Sequence, residues 1–154
     1  MFRVVIPARY ASTRLPGKPL ADLGGRPMIQ HVYERVRGAG AASVVIATDD
    51  ERVREAAARF GADVEMTSSA HASGTDRLAE VALRRGWRDA DVVVNVQGDE
   101  PLLPPALVRQ CAALLAADAA ADVATLATPV ETLEEFLDPA AVKVVRRADG
   151  RALY

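Results

Sequence analysis

One cysteine in 154 residues leaves Cys111 without a partner for an internal disulfide. No histidine–cysteine cluster accompanies it, so the ligand spacings of a zinc site are missing. Cys111 falls on an apolar helical stripe and reads as a small core residue. Aromatic residues make up only 5% of a chain that is half hydrophobic, so the core must be aliphatic. No apolar run approaches the roughly 20 residues of a membrane-spanning helix, and no membrane insertion is expected. A net charge of −2 without a clustered basic face argues against a nucleic-acid partner. Strand-forming residues begin at once, leaving no room for a signal peptide, and a cytoplasmic protein is expected. Two phosphate-binding fingerprints are also missing, Gly-x-Gly-x-x-Gly and Gly-x-x-x-x-Gly-Lys-Ser/Thr, which excludes a dinucleotide turn and a P-loop of those types.

What is present starts with the first loop. Val4, Val5 and Ile6 predict a buried strand, and Pro7, Pro16, Gly17 and Pro19 then forbid a helix. The loop between them carries Arg9, Arg14 and Lys18 together with Ser12 and Thr13. A loop leaving the carboxyl end of a parallel strand is where open α/β sheets bind ligands. Guanidinium groups fork onto phosphate oxygens and an ammonium adds a point charge, so this loop suits a polyphosphate.

Further along, Pro27 takes the first position of a helix whose stripe is Met28, Val32 and Val36. Val44 to Ala47 is a second strand, and Asp49 or Asp50 caps the helix that follows. A short strand surrounds Val64, and Gly74-Thr75-Asp76 opens a third helix. Val92 to Val96 is the next strand, and Pro104-Pro105 starts a helix through Leu115. Val123 to Val130 predicts another strand, Thr132 and Glu135 a capping box, and Val142–Arg146 with Ala152–Tyr154 a hairpin. Uniformly apolar strands alternating with helices predict an α/β fold with a mostly parallel sheet covered on both faces. Residues 1–154 read as one domain whose last element is cut short, the N-terminal portion of a longer chain.

Asp99 is the second anchor, because it closes an apolar strand and could face the cationic loop. Mg²⁺ is commonly held by one or two carboxylates plus substrate phosphates, which makes Asp99 a candidate metal ligand; its other role is to cap the turn before Pro101. Gly98 beside it would let the backbone approach a ligand closely. Ser73, Gly74 and Thr75 lie at a helix N-terminus, a position that favours anions. Arg77 could hold a substrate carboxylate or pair with Asp76 or Glu80 at the surface. His71 could donate to a sugar hydroxyl, Asp49 is a cap or a ligand-binding residue, and His31 is structural.

Four ordered stretches carry a resemblance. They are Pro7-Ala8-Arg9-Tyr10-x-Ser12-Thr13-Arg14-Leu15-Pro16-Gly17-Lys18-Pro19-Leu20, Ala47-Thr48-Asp49-Asp50, His71-x-Ser73-Gly74-Thr75-Asp76-Arg77, and Asn95-Val96-Gln97-Gly98-Asp99-Glu100-Pro101. Together they resemble the 3-deoxy-manno-octulosonate (Kdo) cytidylyltransferases. The sialic acid activating enzymes share a similar first loop, but the Gln97 to Pro101 stretch points to the Kdo branch. The resemblance implies a Rossmann-like three-layer α/β/α nucleotidyltransferase fold. It implies that CTP and Kdo are joined to CMP-Kdo and pyrophosphate with Mg²⁺, for lipopolysaccharide synthesis, by an enzyme that is a homodimer at full length. By position, Pro7, Ala8, Arg9, Ser12 and Lys18 line the CTP site with Arg14 nearby, Asp99 binds metal, and Arg77 and Gln97 face nucleotide or sugar. Two alternatives stay open: activation of another keto-acid sugar, and a nucleotide-binding fragment without turnover.

Overall fold

Runs of β-branched residues in this chain become strands, and the two central ones are buried on both sides. The computed structural model describes residues 1–11 and 15–154. Strands β1 (Phe2–Pro7), β2 (Val44–Thr48), β3 (Asp63–Met66) and β4 (Val92–Asn95) form one parallel sheet in the order β3-β2-β1-β4. Among the described residues, the α-helices that accompany them are α1 (Met28–Arg37), α2 (Glu51–Arg59), α3 (Gly74–Arg84), α4 (Pro105–Ala117) and α5 (Leu133–Leu137). A 3-10 turn, Lys18–Leu20, lies between β1 and α1.

Alternation along β1 divides the core. Val4 and Ile6 pack with Ile29 and Val32 of α1, Val53 and Ala57 of α2, and Val108 of α4. Val5 turns the other way and packs with Val45, Ala47, and Leu78 and Val81 of α3. Each fully buried Val or Ile among these contributes on the order of 1.5–3 kcal/mol. The result is the expected three-layer α/β/α arrangement. Strands β1, β2 and β3 add in one direction, and the connection through α3 then returns the chain to the far side of β1. That reversal leaves a crevice beyond the carboxyl ends of β1 and β4.

Two compact units are distinguished, Met1–Ala124 and Thr125–Tyr154. In the second, Thr132 caps α5 by accepting the Glu135 N–H at 3.1 Å. One expectation there is corrected and another is trimmed. No residue from Val123 to Val130 is in a strand: a strand needs a partner for its N–H and C=O groups, and no described segment pairs with this one. The hairpin pairs as expected but is shorter: Arg146 bridges Ala152 antiparallel, the Val145 N–H donates to the Tyr154 carbonyl at 3.0 Å and the Leu153 N–H to the Val145 carbonyl at 2.8 Å, with residues 142–144 left outside it. Pro27 is also one place earlier than expected, as the N-cap of α1. Among the described residues, no helix is long and apolar enough to cross a membrane.

Candidate functional site

A cleft of ≈ 300 Å³ opens at the reversal point, lined by Pro7, Ala8, Arg9, Ala11, Lys18, Pro19, Gly74, Gln97, Gly98 and Asp99. Its floor follows from strand pairing. Val5 pairs with Asn95, and the Val96 N–H donates to the Val5 carbonyl at 3.1 Å, so the loops leaving β1 and β4 emerge side by side. The two loops touch closely at Gly98, where a β-carbon would lie 2.9 Å from the Pro7 carbonyl oxygen. Gly98 is therefore required by backbone packing within the protein, and it also lines the cleft. Gly74 serves the third wall, since a β-carbon there would meet Pro7 Cγ at 3.4 Å.

The cations are held in distinct ways. The Gly17 N–H donates to the Tyr10 carbonyl at 2.9 Å, tying together two described points of the first loop. Gly17 has a φ of 71°, a left-handed conformation that glycine adopts without strain, and Lys18 follows directly. Lys18 Nζ then donates to Asp99 Oδ2 at 2.6 Å, with both side chains about one-third to two-fifths exposed, at 34% and 43%. Arg9 is exposed and reaches the His71 carbonyl at 3.5 Å, the outer limit of a hydrogen bond. On the loop's outer side, the Arg52 guanidinium stacks 3.4 Å from the Tyr10 ring centroid while bonding Asp50.

Other residues singled out in the sequence occupy different places. Arg77 is fully buried, and its Nη2 donates to Asp49 Oδ2 at 2.8 Å. Its Nη1 donates to the Thr67 hydroxyl, which donates in turn to the Thr48 carbonyl at 3.1 Å. Neither the surface pairing with Asp76 or Glu80 nor a place on the cleft wall describes Arg77. Its partner Asp49 is left free of capping duty because Asp50 accepts the Arg52 N–H at 2.9 Å and caps α2. Ser73 and Asp76 form a reciprocal capping box at the start of α3, so the Ser73 hydroxyl is committed to the helix. Those hydrogen bonds from Ser73 hold the Asp76 carboxyl below its ordinary range. His71 Nε2 donates to the Glu80 carboxylate. Gln97 lies on the cleft wall, where its amide donates to Asn95 Oδ1 at 3.2 Å. Asp49, His71, Ser73, Thr75 and Arg77 are not lining residues, whereas Pro7, Ala8, Arg9, Lys18, Gly74, Gln97 and Asp99 are. Ser12 and Arg14 lie outside the described residues.

Ala11 is a lining residue that sequence reasoning did not single out, and an alanine between polar neighbours gives no chemical signal. His31 is structural as expected, donating from Nε2 to the Leu23 carbonyl at 2.8 Å. Cys111 is only half-buried; its thiol lies 3.2 Å from the Ala124 carbonyl, and burial pushes its pKa up. Among the described residues, no group of three or more His, Cys, Asp or Glu gathers to hold a metal on its own. A metal at Asp99 would need other oxygen donors. The chemistry still fits Mg²⁺, which takes one or two carboxylates and completes its octahedron with phosphate oxygens and water.

Comparisons with known proteins bear on the whole chain. A family model described as cytidylyltransferase matches residues 3–154. A 3-deoxy-manno-octulosonate cytidylyltransferase of Thioalkalivibrio sulfidiphilus is 61% identical over 99% of this chain and 61% of its own length. One of Cellvibrio japonicus is 60% identical over 99% of this chain and 60% of its own. A solved CMP:2-keto-3-deoxy-manno-octonic acid synthetase complexed with CTP superposes with a TM-score of 0.86 at 44% identity, covering 100% of this chain and 63% of that one. The chain therefore spans about three-fifths of the length of the curated relatives it matches.

Proposed function

The chain belongs to the cytidylyltransferase family, and on that premise we propose that it is the N-terminal portion of a domain that joins CTP to Kdo, giving CMP-Kdo and pyrophosphate. The observation that carries this reading is the meeting of Lys18 and Asp99 at 2.6 Å in a cleft that Arg9 also lines. A triphosphate needs fixed cations and a carboxylate able to share its metal, and this cleft offers both at one point.

In the proposed reaction the anomeric hydroxyl oxygen of Kdo attacks the α-phosphorus of CTP in line and its proton passes to water. The bond from that phosphorus to the bridging oxygen breaks, and pyrophosphate leaves. Such a displacement asks little covalent chemistry of the protein, so positioning and charge stabilisation dominate. Arg9 and Lys18 neutralise charge on the departing pyrophosphate, and Arg14 of the same loop would join them. Asp99 would hold Mg²⁺, which supplies polarisation of the α-phosphate when bound. Gln97 and the backbone of Pro7 and Ala8 shape the wall against which the nucleotide lies. A reaction fed by CTP fits the cytoplasm, and homodimerisation of the full-length protein belongs to the same reading.

The span of three-fifths favours one alternative, a nucleotide-binding part without turnover. Pyrophosphate release decides. The chain is assayed with CTP, Kdo and Mg²⁺ beside a version extended by the C-terminal part of the Thioalkalivibrio relative, with sialic acid as the competing sugar. Kdo-dependent release by the extended protein is expected. Calorimetric binding of CTP without release by the shorter chain would establish the alternative for that chain. Absence of CTP binding by both would overturn the functional reading.

A further inference from the structure

The 2.6 Å contact between Lys18 and Asp99 has a consequence for the order of loading. Both groups are wanted elsewhere once ligands arrive: the ammonium by a phosphate, the carboxylate by a divalent cation. We infer that Lys18 occupies Asp99 in the nucleotide-free protein and is handed from the carboxylate to the triphosphate as metal and nucleotide load together. This rests on the proposed nucleotide site and adds a device that couples its two ligands.

Three features carry the inference. First, Asp99 is the single carboxylate among the described cleft-lining residues, and no described cluster of ligands surrounds it. A divalent ion arriving alone would gain one carboxylate plus water, and would have to displace an ammonium already in contact. Second, among the described residues Asp99 makes no other hydrogen bond or ion pair, so Lys18 is its described charge partner. Third, Lys18 is fixed at its base by the 3-10 turn, where the Ala21 N–H donates to the Lys18 carbonyl at 3.1 Å, while its Nζ stays about one-third exposed at 34%. Its long stem can move the ammonium between neighbouring acceptors without moving the backbone. A triphosphate offers Lys18 a denser negative charge than one carboxylate and brings the phosphate oxygens that complete the metal's shell. Each ligand thereby removes the obstacle to the other, and the coupling is reciprocal.

The size of the effect is bounded by the exposure of the pair. An ion pair this open corresponds to a shift of at most about fivefold in an equilibrium constant. The test is a cycle of Lys18→Met, Asp99→Asn and the double variant, with CTP affinity measured calorimetrically in EDTA and Mn²⁺ affinity measured without nucleotide. In EDTA, Asp99→Asn releases Lys18 and tightens CTP binding about threefold to fivefold, whereas in the Lys18→Met background the same substitution changes CTP affinity by less than twofold. Without nucleotide, Lys18→Met tightens Mn²⁺ binding by a similar factor, more than Arg9→Met, which removes a cleft cation not bonded to Asp99. An Asp99→Asn effect of equal size in both backgrounds would reduce the pair to diffuse repulsion and overturn the handover. So would equal Mn²⁺ gains from Lys18→Met and Arg9→Met. Either result with CTP still binding leaves the functional reading standing; failure of CTP to bind any form, Mn²⁺ present or not, overturns both.

Discussion

Gly98 stands so close to Pro7 that a single added carbon would press into the Pro7 carbonyl oxygen at 2.9 Å. The neighbour is backbone at the last residue of β1, so it cannot swing aside as a flexible side chain would. Gly98→Ala is expected to push the β1 and β4 loops apart and to cost about 1–3 kcal/mol of stability, the usual penalty for overpacking. Urea unfolding measures that cost. Because both loops line the cleft, CTP binding should weaken as well, and an alanine variant with unchanged midpoint and unchanged affinity would show that the loops have slack.

Lys18 bears on rate more than on affinity in the proposed reaction. Charge on the bridging oxygen grows as pyrophosphate departs, so a cation placed there is worth more in the transition state than in the ground state. Lys18→Ala in the extended enzyme should lower kcat by about 10²-fold, the scale seen when one fixed electrostatic group is removed. Steady-state kinetics separate the outcomes. A raised KM at unchanged kcat would confine Lys18 to ground-state binding.

Arg77 and Asp49 give a prediction about stability. The guanidinium is fully buried and the carboxylate nearly so, with side-chain exposures of 0% and 14%. Removing one partner from a buried pair leaves the other charge uncompensated, so Asp49→Ala should cost about 3–5 kcal/mol. The double variant Arg77→Met, Asp49→Leu should recover much of that loss, because neither charge then remains to be solvated. Chemical denaturation of the single and double variants tests this, and an Asp49→Ala chain as stable as the parent would mean that water reaches Arg77.

These placements mark what the sequence could and could not convey. Three of the four strands, β1, β2 and β4, were legible because Val and Ile run uninterrupted through them, β3 by Val64 alone, and the cationic loop because proline and glycine exclude regular structure there. The meeting of Lys18 with Asp99, 81 residues apart, followed from both loops leaving strand ends that the fold makes neighbours. The role of Arg77 was not legible. Its partner Asp49 is 28 residues away, and local spacing offered Asp76 and Glu80 instead. Asp76 was already engaged by Ser73, a commitment that a reading focused on arginine pairs overlooks. Val123 to Val130 misled for a different reason. Side-chain branching reports a preference for extended backbone, while strand formation depends on a partner that local sequence does not name.

Acid should loosen the segment before α3 in a defined order of sign. Glu80 Oε2 accepts the Ser68 N–H at 2.9 Å and the His71 ring N–H, with Arg84 paired to the other carboxylate oxygen. The His71 hydrogen bond first, then the Ser68 amide and the Arg84 charge, hold the Glu80 carboxyl below its ordinary range. Asp76 is depressed in the same way by Ser73. A carboxyl depressed by folding stabilises the native state fully above its unfolded pKa, and that contribution is lost as pH falls through the folded value. The Ser68 and Ser73 amide resonances should therefore hold their native positions down to about pH 4.5 and shift only below it, where unfolded carboxyls are already protonating. Glu80→Gln should abolish the acid shift at Ser68 while leaving that at Ser73, since the two carboxylates bond separate amides. A Ser68 resonance that moves between pH 7 and 5 in the parent, or that still titrates in acid after Glu80→Gln, would assign the anchoring of this segment to a group other than Glu80.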